Sequence, residues 1–305
     1  MNHYGISLEK RLAFIFMLAC ILTANCMAQE TNAQTAATPD LRVERNITYL
    51  ANSQKPAADL YFPASQSGEG KFPAVILIHG GGWQGGRRDD KREISISSTL
   101  ARNGYFVMSI DYLLANKKQA VWPTNLWDCK TAVRWLRKNA DRLGVDPERI
   151  GVMGGSAGGQ LAAMVALTTP ADGLDPAAPL GDVSCRVKCC VDFYGIADIG
   201  AWHDVAMLGK TFAEAPELYR AASPLAYVRS NSPPVLIVHG TADKTVDVSQ
   251  SKLLDEALSR VQVKHELVIV PGAVHSFDLQ PKQLDLRPLV LKFLNENLPQ
   301  VKHDN

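Results

Sequence analysis

The chain has 305 residues, of which 46% are hydrophobic and 21% charged, the balance of an ordinary globular protein, and this excludes disorder as its main condition. Its formal net charge of +1 is spread without a basic stripe, which excludes a nucleic-acid partner or an electrostatic membrane anchor and fits a small, near-neutral substrate. The length lies within reach of one α/β domain of about 250 residues plus a leader.

The N-terminus has the layout of a secretory signal. Lys10 and Arg11 precede an apolar run over 12–23, and Ala24-Asn25-Cys26-Met27-Ala28 then offers small residues before Gln29. Cleavage is expected after Ala28, giving a secreted or periplasmic protein that keeps no membrane contact once the signal, 1–28, is gone. The run is short against the ~20 residues of a membrane span, so an uncleaved anchor is the weaker alternative, and lipidation at Cys26 or Cys20 weaker still. Residues 29–40 read as a flexible lead. Four cysteines follow: Cys129, Cys185, Cys189 and Cys190. Export permits bridges between them, but the 187–193 run that holds the adjacent pair is apolar, so disulfides and buried thiols both stand open.

From Leu41 to residue 300 the chain is expected to form one domain of alternating strands and helices. Strands are predicted at 43–50, 58–62, 74–79, 105–110, 149–153, 189–194, 235–239 and 266–270, several of them unbroken β-branched runs as in strands covered on both faces. In 126–138 Leu126, Cys129, Val133 and Leu136 recur at three- and four-residue steps and mark the buried face of a helix, stopped by Gly144 and Pro147. Helices are likewise predicted at 156–168, 248–259 and 283–298. The fold class is therefore α/β, a mostly parallel central sheet of about eight strands with helices on both faces. The first two strands have no helix between them and are expected to form an antiparallel edge. The 197–227 stretch, with Trp202, His203, Met207, Leu208 and Phe212, is longer than a plain crossover; a short cap and a helix with a loop are equally compatible with it.

The strongest chemical signal is Gly154-Gly155-Ser156-Ala157-Gly158-Gly159, between the strand at 149–153 and a helix. A serine hydroxyl becomes a nucleophile only where a base can reach it, and a sharp strand-to-helix turn with small flanking residues holds it out from the backbone. No lysine follows as a phosphate-binding loop requires. His79-Gly80-Gly81-Gly82-Trp83 follows another strand. Its glycines can turn amides inward, so Gly81, Gly82 and Ala157 are the expected oxyanion donors. Trp83 is the candidate substrate-binding wall, with an apolar plug beneath the loop as the equal alternative. His79 is expected to be structural.

The acid and base of such a site follow the serine in the order acid, then histidine, on loops at the carboxyl ends of later strands. Asp243 and His275 stand there. His275 is the candidate base and Asp243 its orienting acid, with Asp247 a weaker candidate acid better suited to capping the next helix. Among the rivals for the base, His203 and His239 precede the acid, His265 opens a strand, and His303 lies in the polar C-terminal tail. Asp111 and Asp128 are expected in structural hydrogen bonds. No cysteine or histidine cluster has zinc spacing, and neither metal nor cofactor is expected.

Taken together these residues resemble the bacterial esterase/lipase branch of the α/β-hydrolases, especially its feruloyl- and acetylxylan-esterase-like members and secondarily kynurenine formamidases. The resemblance covers nearly all of 60–298. It rests on His79 to Trp83, Asn103-Gly104-Tyr105 to Asp111-Tyr112, Asp146-Pro147 with Arg149-Ile150, Gly154 to Gly159, His239-Gly240 with Asp243, and Gly272 with His275. It implies the same triad and oxyanion hole. Leu113 and Asp247 depart from the arginine and proline usual there, which loosens any narrow substrate assignment.

The expected activity is hydrolysis of carboxylic esters through an acyl-enzyme on Ser156, with a short-acyl or feruloyl-type ester of a carbohydrate as substrate partner. The alternatives are C–N hydrolysis with the same triad, as in a formamidase or peptidase, and a non-catalytic binding protein on the same scaffold. The complete set of nucleophile, base, acid and oxyanion loop speaks against the last.

Overall fold

The computed structural model describes residues 41–50, 57–64 and 71–300. The expected signal and lead, 1–40, and the tail with His303 lie outside the described residues.

Eight strands form one sheet: β1 (Val43–Thr48), β2 (Ala57–Tyr61), β3 (Phe72–Ile78), β4 (Phe106–Ile110), β5 (Val145–Gly155), β6 (Cys190–Phe193), β7 (Val235–Gly240) and β8 (His265–Val270). Their order is β1-β2-β4-β3-β5-β6-β7-β8. The β1–β2 and β2–β4 pairs are antiparallel and the other five are parallel, so the hairpin-like start forms the expected antiparallel edge. β3 is buried at every position but its first, which explains its unbroken apolar sequence. Its side chains alternate between two cores: Ala74, Ile76 and Ile78 face one, Val75 and Leu77 the other.

The helices are α1 (Lys91–Arg102), α2 (Thr124–Lys138), α3 (Ala140–Leu143), α4 (Ala157–Leu167), α5 (Pro216–Ala221), α6 (Ser249–Arg260) and α7 (Arg287–Asn297). Apolar residues of α2, α4 and α6 fill the first core, those of α1 and α7 the second, so the sheet is covered on both faces. Sequence patterning misses α1. Its buried face, Glu93, Ile96, Ser97, Leu100 and Ala101, has helical spacing, but only Ile96 and Leu100 are large and apolar.

The 197–227 stretch follows the helix-with-loop alternative. It contains α5 and 3₁₀ turns at Ala206–Leu208 and Pro224–Tyr227, and it buries Met207, Leu208, Tyr219 and Ala222 in the first core. The Met207 carbonyl accepts the Val121 and Trp122 amides (2.9 and 3.1 Å), which pins the stretch to the chain entering α2.

All four described cysteines are buried free thiols. Cys189, just before β6, and Cys190, its first residue, lie in extended chain and face opposite cores, which keeps them from pairing with each other. Burial pushes the Cys189 thiol up to about 12.

One carboxyl sits deep in this frame. Asp192 on β6 is 2% exposed and accepts the Gly195 amide at 3.0 Å. Burial pushes its pKa up to about 7, against the lowering influence of that bond. An unfolded aspartate titrates at about 4. Between those values the folded chain holds a proton that the unfolded chain has lost, so this group's contribution to stability falls as pH rises through the window. Asp192→Asn, neutral throughout, is therefore expected to gain melting temperature relative to wild type at about pH 8, with the gain shrinking toward about pH 5. Thermal melts of both proteins at the two pH values check this; an unchanging difference would contradict it.

Candidate active site

The chain passes from β3 to β4 on one side and then returns across β3 to β5 on the other. That reversal leaves a crevice at the carboxyl ends of β3 and β5, where ligands bind in open α/β sheets. The glycine loop leaves β3 and Ser156 leaves β5, with Ile78 and Gly154 directly paired.

Ser156 has φ 57° and ψ −124°, a strained backbone for a residue with a side chain, at a cost of about 1–3 kcal/mol. Two bonds hold it there: its amide donates to the Phe193 carbonyl (2.9 Å), and its carbonyl accepts the Gln160 amide (3.0 Å). The turn also needs an absent side chain. A Cβ at Gly158 would stand 2.2 Å from the Ile78 carbonyl oxygen, so only glycine lets the start of α4 press against the end of β3.

His275 and Asp243 come from the loops after β8 and β7. His275 Nε2 lies 2.9 Å from Ser156 Oγ, and His275 Nδ1 lies 2.6 Å from Asp243 Oδ2. The structure thus brings the three predicted residues into one hydrogen-bonded chain, with the ring proton on Nδ1 and Nε2 open to accept from the serine. The Asp243 side chain is fully buried, and its Oδ1 accepts the Thr245 and Val246 amides at 2.8 and 2.9 Å. These bonds fix the orientation of the carboxylate.

Sequence reasoning overlooked one neighbour. His239, at the end of β7, is fully buried and places Nε2 3.3 Å from Asp243 Oδ2. The same Nε2–H donates to the Val246 carbonyl (2.9 Å), and Nδ1 accepts the Ser251 hydroxyl (2.7 Å). Burial lowers its pKa, outweighing the bonds and the nearby Asp243 that raise it. It is a neutral ring set beside the same carboxylate oxygen that His275 contacts, with its Nε2 proton given to Val246. The signal was present in His239-Gly240 ahead of Asp243, but only the fold shows the His239 ring lying against the Asp243 carboxylate.

The other candidates fall into structural places. Asp247 accepts the Ser249 amide (2.8 Å) at the start of α6, and does not face His275's ring. His79 is buried, donates from Nδ1 to the Gly80 carbonyl (2.7 Å) and stacks on Tyr112. Asp128 accepts the Leu113 amide (2.8 Å). His203 stacks on Trp202, and His265 contacts Ser259 beside β8.

The glycine loop is held at several points. The Gly81 carbonyl accepts the Gln84 and Gly85 amides (3.1 and 2.9 Å), and the Trp83 carbonyl accepts that of Ala115 (2.7 Å). Beyond it, the buried Arg88 guanidinium pairs with Asp59 (2.9 Å) and with Asp111. The amides of Gly81, Gly82 and Ala157 have no hydrogen-bond partner among the described residues. Space above Gly82 is open, since a Cβ there would meet nothing within 4 Å. Donors fixed and unpaired beside a serine oxygen can stabilise a developing oxyanion without reorganising.

Trp83 corrects the expectation of a substrate wall. It is 1% exposed and donates its indole N–H to Gln160 Oε1 (2.9 Å), so it is the plug beneath the loop. Trp202 packs edge-on against it at 6.0 Å and donates to the Thr245 carbonyl (3.3 Å) in the acid loop. Among the described residues no group of three or more histidine, cysteine, aspartate or glutamate side chains is arranged to hold a metal ion.

The BD-FAE family model matches residues 58–258 of this chain. Over 224 residues the chain is 35% identical to esterase LipC of Mycobacterium tuberculosis (strain ATCC 25618 / H37Rv), which covers 68% of this chain and 53% of LipC. The chain thus spans about half the length of such curated relatives. Its fold is similar to a truncated carbohydrate esterase from gut microbiota, with a TM-score of 0.77 and 26% identity over 87% of this chain and 99% of that one. It is also similar to an acetyl ester-xyloside bifunctional hydrolase from Caldicellulosiruptor lactoaceticus, with a TM-score of 0.69 and 28% identity over 81% of this chain and 89% of that one.

The contact between loop and turn can be tested at Gly80, where a Cβ would stand 2.9 Å from the Gly155 carbonyl oxygen and 3.4 Å from Ser156 Cβ. Gly80→Ala is expected to fold but to slow covalent modification of Ser156 by a fluorophosphonate about 10²-fold, because backbone there cannot yield cheaply. Timed labelling reads this, and a rate within a factor of about three of wild type would refute the close-approach account.

Proposed function

We propose that this chain, which belongs to the BD-FAE family of α/β-hydrolases, is a serine carboxylic-ester hydrolase that works through an acyl-enzyme on Ser156. The observation that carries the proposal is the placing of His275 between Ser156 Oγ and Asp243, at 2.9 and 2.6 Å. As Oγ attacks the ester carbonyl carbon, its proton moves to His275 Nε2 and the carbonyl electrons move to oxygen. The Gly81, Gly82 and Ala157 amides donate to that oxyanion. Asp243 holds the imidazole by its Nδ1 proton and balances the imidazolium charge. Collapse of the intermediate breaks the carbon–oxygen bond to the alcohol, which leaves with the proton from Nε2. A water molecule then gives a proton to Nε2 and adds to the acyl carbon. The second collapse releases the acid and returns the proton to Ser156.

The substrate we favour is a short-acyl or feruloyl-type ester of a carbohydrate. Support comes from the likeness to a carbohydrate esterase and to an acetyl ester-xyloside hydrolase, together with the motifs shared with acetylxylan- and feruloyl-esterase-like proteins. We also propose export, on the strength of Lys10, Arg11, the apolar run and the small residues before Gln29.

A panel of acetyl, butyryl and feruloyl esters with a matched amide tests the reaction class. Ester turnover, lost with Ser156→Ala along with fluorophosphonate labelling, is expected; preference for the amide would overturn the ester reading. Asp243→Asn should lower kcat by about 10⁴-fold while the protein remains folded, because the wrong imidazole tautomer would face the serine. For export, N-terminal sequencing of protein recovered outside the cytoplasm is expected to start at Gln29. An intact N-terminus retained in the cytoplasm contradicts it.

A further inference from the structure

His275 sits on the loop that follows β8, an edge strand paired on one side only. Its ring must nevertheless stay within hydrogen-bond reach of groups on two other strands. An edge loop has few backbone partners to fix it, so the restraint has to come from side chains.

That restraint comes from α1. The Arg92 side chain is 14% exposed, and its Nε donates to the Tyr194 hydroxyl (2.7 Å) and to the Phe277 carbonyl (3.0 Å). Nη1 donates to Glu93 Oε1 (2.7 Å), which balances the charge. The Tyr194 hydroxyl in turn donates to the same Phe277 carbonyl at 2.6 Å. Phe277 lies two residues beyond His275, and the Tyr194 ring packs against both, with centroids 4.8 Å from His275 and 4.7 Å from Phe277. Tyr194 itself is fixed: it leaves β6 with φ 42°, and its amide donates to the Val238 carbonyl (2.8 Å). One turn along α1, Ser95 donates to Asp278 (2.8 Å).

The same guanidinium reaches the nucleophile turn. Nη2 is buried without a hydrogen-bond partner among the described residues and lies against Gly155, where a Cβ would stand 2.6 Å from it. One planar group therefore touches the residue before Ser156 and the loop that carries the base. A lysine could not reproduce this, because a single ammonium point cannot serve Tyr194, Phe277 and Glu93 from one fork.

We infer that Arg92, acting through Tyr194 and Phe277, is a positioning residue that fixes the reach of His275 to Ser156. It touches no substrate. Its kinetic consequence rests on the ester-hydrolase proposal, whereas its effect on His275 does not.

The test compares Arg92→Ala, Arg92→Lys and Tyr194→Phe with wild type in the full chain. Arg92→Ala is expected to melt cooperatively yet lose about 10²-fold in kcat, with KM changed by less than about threefold, since misplacing the base by about an ångström has that effect. Low-millimolar guanidinium should restore about tenfold of the loss, which a merely structural defect would not allow. Arg92→Lys should fall between, and Tyr194→Phe combined with Arg92→Ala should be no worse than Arg92→Ala alone, as both act through Phe277. A readout independent of turnover is the downfield proton resonance of His275 Nδ1–H, identified by its absence in His275→Ala. It should broaden in Arg92→Ala and return with guanidinium. If wild type cleaves no ester, the ester proposal fails and the resonance still decides the positioning role. Arg92→Ala with an unaltered resonance, and kcat within about threefold of wild type where ester is cleaved, overturns the inference; should Arg92→Ala not fold, the same outcome in Tyr194→Phe overturns it.

Discussion

The site depends on the close passage of two backbones at the ends of β3 and β5. Gly158 at the start of α4 faces the Ile78 and His79 carbonyls with no room for a side chain between them. That approach follows from the reversal of chain direction in the sheet, which makes β3 and β5 neighbours although α1, β4, α2 and α3 separate them in sequence. It puts the unpaired amides of the glycine loop beside the amide of Ala157, at the positive end of α4. The strained Ser156 backbone is the local cost, offset by sheet pairing that fixes both strands to their last residues.

Around that contact the polar groups are arranged so that few can move alone. Asp243 lies on the dry side of His275, held by two amides, with the neutral His239 beside it. Arg88 ties the far end of the glycine loop to Asp59 and Asp111 on β2 and after β4. Arg92 ties the histidine loop to β6. Breaking a buried charged pair leaves its partner unsatisfied, so such ties resist partial opening. Each joins a loop at the carboxyl edge to a strand or helix that does not take part in the chemistry proposed for it.

Burial and hydrogen bonding also explain which of its two expected roles Trp83 takes. An indole beside an oxyanion loop is equally able to floor the loop or to wall the pocket. Gln160 decides between these, since its side-chain oxygen accepts the Trp83 N–H inside the core while its side-chain amide donates to the Ala222 carbonyl. Trp202, half-buried, packs on Trp83 and bonds to the acid loop.

Much of this was legible in the sequence because it is written in short-range patterns. Strand-like runs, several of them unbroken and apolar, gave the eight strands, helical spacing gave α2, α4, α6 and α7, and the glycines around Ser156 and after His79 marked turns that only small residues can make. Asp243 and His275 were legible from chain order and their place after strands. What sequence could not give is whatever depends on which distant side chain arrives at a buried polar atom. The face of α1 was hidden because serine and glutamate occupy two of its five buried positions. His239 read as an unsuitable base, and nothing singled out Arg92 among the 32 lysines and arginines until the sheet brought both against the site. Local spacing determines strands, helices and turns because those forces act over a few residues, whereas partners across the sheet are chosen only when the whole core closes.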